Sequence, residues 1–321
     1  MNASGLVRKI VPGLLLLAAV MLPFFPVSTY IIHVVTLIFI WALIGTAWAY
    51  MGRFGLVSLG HGAFMGIGAY TATLFFNSFN LSPWVGMILG ALAACFLAAV
   101  LGYACFRFGI IGDYFALVTL AVAELVALLI IAFRETTGGS LGLTIRSVGT
   151  SVVDFQFENR IYFYYICMGF LALVLYIWKR IDRSDMQKAL AAIGEDEVAA
   201  ASLGVNIIKN KMVITLISAF CTSLGGTLYA QYITYLSPDT VSGVAVSLAV
   251  PFKAILGGMF TLWGPFIGST IVVSLEEYIR VVYGGKYTSL SQIAYGLALV
   301  ILIMFLPKGI FGTIKEKLFR K

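Results

Sequence analysis

The residues able to do chemistry are few and stand inside apolar sequence. Glu124 lies midway along an apolar run over 113–133, and Lys253 follows Pro251 in another. A charge at the bilayer centre costs roughly 2.5–3.5 kcal/mol on insertion scales, so each must face protein or water. For Glu124 two readings stand: a contact to a solute's ammonium group, or a structural ion pair, the commoner arrangement. Lys253 has three: a pair with Glu124, a pair with Glu276, or a stem reaching to the cytoplasmic edge. Glu276, Glu277 and Arg280 fall three or four residues apart on one helix face and are expected to pair locally. His33 and His61 are isolated and form no metal constellation. His61 stands among glycines and is expected to be a packed, hydrogen-bonded imidazole rather than a ligand. Cys95, Cys105, Cys167 and Cys221 all fall in apolar stretches and serve as small hydrophobes. No phosphate-binding Gly-x-x-x-x-Gly-Lys-Ser/Thr loop, nucleophile elbow or His-Glu-x-x-His pair occurs, so no catalytic or metal site is assigned.

These groups must be positioned by membrane-spanning helices. Of 321 residues, 61% are hydrophobic and 11% charged, whereas soluble domains carry about 25% charged residues. A chain this apolar cannot cover its surface with polar groups in water. A helix crossing ~30 Å of hydrocarbon needs ~20 mostly apolar residues. About ten runs meet that length, over 10–28, 30–50, 56–76, 84–106, 113–133, 161–178, 211–232, 243–260, 264–283 and 288–306. The expected fold is all-α, a polytopic transmembrane helical bundle forming a single domain over 1–321. The first run lacks a small-x-small cleavage pattern and ends in Pro23 and Pro26, so it is expected to be a retained span rather than a signal peptide.

Basic residues gather on the cytoplasmic side of membrane proteins. With the N-terminus inside, that side receives Arg8, Lys9, Arg53, Arg107, the cluster Lys179 to Lys211, and Lys308 to Lys321; the outer loops receive Arg134, Arg146, Arg160 and Lys286. The bias fits an even number of spans with both termini cytoplasmic. It also accounts for the net charge of +7 without nucleic acid, for which no basic groove with interleaved aromatics appears. Two loops are long: an outer one over 134–160 and an inner one over 179–211.

Two segments stand out. In the inner loop, Glu195, Asp196 and Glu197 sit where the first turn of a helix would favour acids. Val198 to Leu203 contains good helix formers, and Gly204 suits the left-handed residue that ends a helix. A helix of about two turns is expected to project here. In the third run, glycines at 52, 55, 60, 62, 66 and 68 are too many for a straight stable helix, each costing up to ~1 kcal/mol relative to alanine. Close helix packing accounts for part of this run. The alternative is a helix broken near a pore, where free backbone groups meet a solute.

Both segments resemble the branched-chain amino acid ABC transporter permease family. In the inner loop, Ala199, Ala200 and Gly204 match the Glu-Ala-Ala-x-x-x-Gly motif that docks an ATPase, with Val198 in place of the motif's glutamate. The family's own version, Ala-Ile-x-Glu-Asp-Glu-x-Ala-Ala-x-x-Leu-Gly, fits throughout, with Gly194 where arginine is usual. In the glycine-rich run, Gly52, Gly55, Ser58, Gly60, His61, Ala63, Phe64, Gly66, Gly68, Ala69 and Tyr70 match the family pattern. Further matches are Tyr114 to Ala121 with Glu124, Thr137 to Thr144, Tyr235 to Asp239, and Leu256 to Pro265. The blocks best fit the LivM-type member of a two-permease pair. Ala249 departs from an expected glutamate, Lys253 from an apolar residue, and Met259 and Phe260 from small ones.

The resemblance implies a permease subunit of an ATP-binding-cassette importer in a bacterial inner membrane, carrying leucine, isoleucine, valine or a related small polar solute. It implies a second, LivH-type permease, two cytoplasmic ATPases holding ATP and magnesium, an outer solute-binding protein, and no cofactor in this chain. Glu195, Asp196, Glu197, Ala199, Ala200 and Gly204 would dock the ATPase, while Gly55, Ser58, Gly60, His61, Glu124 and Lys253 are candidates for the substrate path. The alternative is a stand-alone secondary transporter or channel for a solute such as urea or an amide, using Glu124 and Lys253 for coupling or selectivity.

Overall fold

A computed structural model describes residues 19–283 and 296–297, and within them the chain is overwhelmingly helical. The helices are α1 Thr29–Gly52, α2 His61–Phe79, α3 Pro83–Arg107, α4 Gly112–Ala132, α5 Arg160–Asp182, α6 Asp185–Glu195, α7 Glu197–Ser202, α8 Ile207–Ile233, α9 Gly243–Gly257 and α10 Gly264–Tyr283. One-turn helices at Arg134–Thr137 and Pro238–Val241 interrupt the connections. Strands β1, Leu143–Thr144, and β2, Tyr235–Leu236, pair antiparallel and tie the 134–160 loop to the end of α8.

Local chemistry sets the helix ends. Asn159 caps α5 by accepting from the Ile161 N–H at 2.9 Å, and Asn206 caps α8 by accepting from Lys209 at 3.0 Å. Pro83 opens α3, where its missing N–H leaves nothing unpaired. Lys179 and Arg180 lie in the last turn of α5, at the negative end of its dipole.

The apolar α1 is buried along most of its length and packs against α5, α8, α9 and α10. A second packed group is α2, α3 and α8, with α4 lying against α2 and α9. Backbones come close in that group: a Cβ at Gly226 would collide with the Met65 carbonyl, so only glycine lets α8 approach α2 there.

Among the described residues, six segments are long and apolar enough to cross a membrane: α1, α3, α4, α5, α8 and Pro238–Gly257, which contains α9. The molecule is a polytopic helical membrane protein. The eight expected runs from 30–50 to 264–283 each correspond to one helix among α1–α5 and α8–α10. The expected span 10–28 is described only from residue 19, and of 288–306 only residues 296–297 are described. Several boundaries differ from expectation, two of them for a reason visible in the structure. The run at 56–76 becomes helical only at His61, because Leu56–Gly60 is bonded to side chains of other elements. The run at 243–260 stops at Gly257, because Gly258 is left-handed, with φ +112°.

Candidate functional site

The inner loop folds into two short helices split at Asp196. Asp196 is extended, with φ −155°, and its Oδ1 accepts from the Val198 N–H at 2.8 Å and the Ala199 N–H at 3.0 Å. It is therefore the N-cap of α7. The three acids do not share one first turn, as expected from sequence. Glu195 closes α6, Asp196 caps, and Glu197 opens α7 and accepts a hydrogen bond from the Lys211 ammonium on α8. Ala199 is exposed and Ala200 is buried beneath the helix. Gly204 ends the motif at φ +82°, as the sequence suggested. The outward face of the motif presents Val198 and Leu203, 77% and 83% exposed, two apolar side chains uncovered among polar neighbours.

Beside the end of α6 lies the turn between α1 and α2. The Arg53 guanidinium stacks between the Trp178 and Phe54 rings, 4.1 and 4.6 Å from their centroids, and pairs with Asp182 Oδ1 at 2.5 Å. Burial lowers the pKa of Arg53, and the hydrogen bond to Asp182 opposes the shift. Gly194, at the end of α6, faces the Phe54 carbonyl, which would stand 3.2 Å from an added Cβ. The position where the family places arginine is packed here against the α1–α2 turn.

From Leu56 to Gly60 the chain is not helical, and its backbone groups are satisfied by side chains of α1 and α4 and by the segment's own Ser58 hydroxyl. The Ser58 carbonyl accepts from Trp48 Nε1 at 2.7 Å, Leu59 N–H donates to Thr119 Oγ1 at 2.9 Å, and Gly60 N–H donates to Ser58 Oγ at 3.1 Å. Gly62 N–H donates to Ser247 Oγ at 3.1 Å. His61 is fully buried, with Nε2 2.8 Å from Ser218 Oγ. Ser218 gives its one proton to the Ala47 carbonyl at 2.7 Å, so His61 Nε2 must be the donor in that contact. Its Nδ1 has no hydrogen-bond partner among the described residues. Ser58, Gly60 and His61 thus form one polar site at the broken start of α2, in which hydroxyls occupy the donors a solute carboxylate would use. Gly55 lies apart, in an exposed turn at φ +81° with open space around it.

The intramembrane charges are placed differently from expectation. Glu124 forms no ion pair among the described residues. Its Oε2 lies 3.6 Å from the position of a Cβ on Gly243, the first residue of α9. Lys253 pairs with neither Glu124 nor Glu276 and does not reach an edge. It is 2% exposed, and its Nζ sits 3.4 Å above the centroid of the Trp41 ring. Its ammonium therefore faces α1. Glu276 and Glu277 both bond Arg280, at 3.4 and 2.7 Å, as their spacing suggested. Ser218, Thr119, Ser247 and Lys211 carry the site's hydrogen bonds but gave no sequence signal of their own; Thr119 at least lies within the Tyr114–Ala121 block.

The family model for the branched-chain amino acid transport system permease component matches residues 30–306. The chain belongs to this family. It is similar to the high-affinity branched-chain amino acid permease LivM of Escherichia coli strain K12, at 28% identity over 99% of this chain and 78% of that one. The nucleoside ABC transporter permease NupC of Lactococcus lactis is 25% identical over 80% of this chain and 86% of its own. The guanosine ABC transporter permease NupQ of Bacillus subtilis is 23% identical over 72% and 75%. The chain is a multi-pass transmembrane permease of the ABC type.

Proposed function

We propose that this permease imports branched-chain amino acids across a bacterial inner membrane as one half of a two-permease pore. The pore would be driven by two cytoplasmic ATPases and fed by an outer solute-binding protein. ATP and magnesium belong to the ATPases, and this chain does no catalysis. The chain would cross the membrane ten times, with both termini inside. The observation that carries the reading is α7: a capped helix on the face richest in Lys and Arg, stopped by a left-handed glycine and presenting Val198 and Leu203 to a partner. The cargo follows from the similarity to LivM along almost the whole chain. A stand-alone transporter coupled by Glu124 and Lys253 has no support from their geometry, since the two charges face different neighbours.

The test is purification of the tagged chain from its native host in mild detergent, with mass spectrometry of what accompanies it and uptake assays with leucine and guanosine. The expected result is a second permease and two ATPases, with leucine uptake lost when the ATPases are inactivated. Guanosine uptake in place of leucine would move the cargo to nucleosides. A chain that purifies alone and still transports would overturn the importer reading.

A further inference from the structure

Resting on the importer reading, we propose that Lys211 and Ser218 are positioning residues that carry movement of α7 along α8 to the α2 break. The path is continuous. Glu197, at the start of α7, holds the ammonium of Lys211, which is 2% exposed and lies over the Phe106 ring at 5.5 Å. A charge buried this far is stable only while its partner stays, so a shift of α7 takes Lys211 with it. Lys211 sits in the first turns of α8, which runs without a break from Ile207 to Ile233. Lys211, Thr215 and Ser218 follow at the i, i+4, i+7 spacing of one helix face, and all three are buried. About 10 Å of rigid helix therefore separates the grip on the docking helix from the grip on the break. Ser218 is the second grip: its hydroxyl donates to Ala47 on α1 and accepts from His61, the first residue of α2. The two residues it joins flank the non-helical Leu56–Gly60. A second contact converges on the same place from the loop side, where Gly194 packs on the carbonyl of Phe54, two residues before the break. A shift of α8 would move His61 relative to Ser58, Thr119 and Ser247, whose hydroxyls now hold the Leu59, Gly60 and Gly62 donors. The readout that separates coupling from bracing is the stoichiometry of transport rather than its rate.

The experiment uses the full transporter, reconstituted in vesicles with its ATPases and binding protein, and measures solute taken up per ATP hydrolysed. Lys211→Met is expected to leave ATP hydrolysis and ATPase retention close to wild type while lowering that ratio by about tenfold, within the range known for coupling residues. Ser218→Ala, remote from the docking surface, is expected to lower the ratio in the same way. Lys211→Arg, which keeps a cation beside Glu197, is expected to hold the ratio close to wild type. Uptake and hydrolysis falling in proportion, or a ratio unchanged in both single variants, overturns the proposal and leaves the pair as a brace. If wild-type chain retains no ATPase, the importer reading fails first and takes this one with it.

Discussion

Ser247 and Ser269 are both fully buried, but only Ser247 has a partner: its Oγ accepts the Gly62 N–H, whereas Ser269 Oγ has none among the described residues. Leaving a buried donor unpaired costs about 1–3 kcal/mol, while removing a hydroxyl that bonds nothing costs little. Ser247→Ala should therefore lower the midpoint of thermal unfolding in detergent clearly, and Ser269→Ala should leave it near wild type. Equal midpoints would mean that the α2 donors are not held as described. This pairing was not legible in the sequence, because Ser247 lies 185 residues from Gly62 and nothing local distinguishes one serine from the next. His61 was legible in kind, as a packed and hydrogen-bonded imidazole, but its partner Ser218 was not. For Glu124 the sequence left a solute contact and an ion pair open; no ion pair forms among the described residues, and no spacing rule shows that the start of α9 will arrive beside this carboxylate.

At the scale of the element, α7 was the most legible part of the chain. Acids, small helix formers and a terminal glycine act within a few residues of one another, so their meaning does not depend on the rest of the fold. What sequence could not divide was the acidic triplet, since the extended turn at Asp196 is set by α6 ending just before it. Asp196→Ala removes the acceptor for two N–H groups and should cost the helix about 1 kcal/mol, seen as faster proteolysis within 179–211. Leu203→Asp should act differently. Leu203 is exposed, so the charge disturbs no packing; the unfolding midpoint should hold while ATPase subunits are lost during purification. Retention of the ATPases by Leu203→Asp would show that the apolar face is not their seat. The α2 break was legible only as an excess of glycine. Where helix resumes depends on Thr119, Ser218 and Ser247 arriving from three other helices.

For the whole molecule, the decisive element is α5. Its 23 residues reach about 34 Å at 1.5 Å each, enough to cross ~30 Å of hydrocarbon once. The loops it joins, 134–160 and 179–211, must therefore lie on opposite faces of the membrane. The inner assignment of 179–211 rests on its Lys and Arg, and the structure adds that the Arg53–Asp182 and Lys211–Glu197 pairs gather at that same end. The β1–β2 pair holds the other end. This orientation can be read directly with a membrane-impermeant maleimide on intact cells. Lys188 and Glu158 are both exposed, and the native cysteines lie in apolar runs, Cys105, Cys167 and Cys221 being buried. Glu158→Cys should label on intact cells, and Lys188→Cys only after permeabilisation. The reverse pattern would place α7 outside, away from any ATPase, and the importer reading would fall with it. Labelling of both sites on intact cells would contradict the crossing by α5 itself.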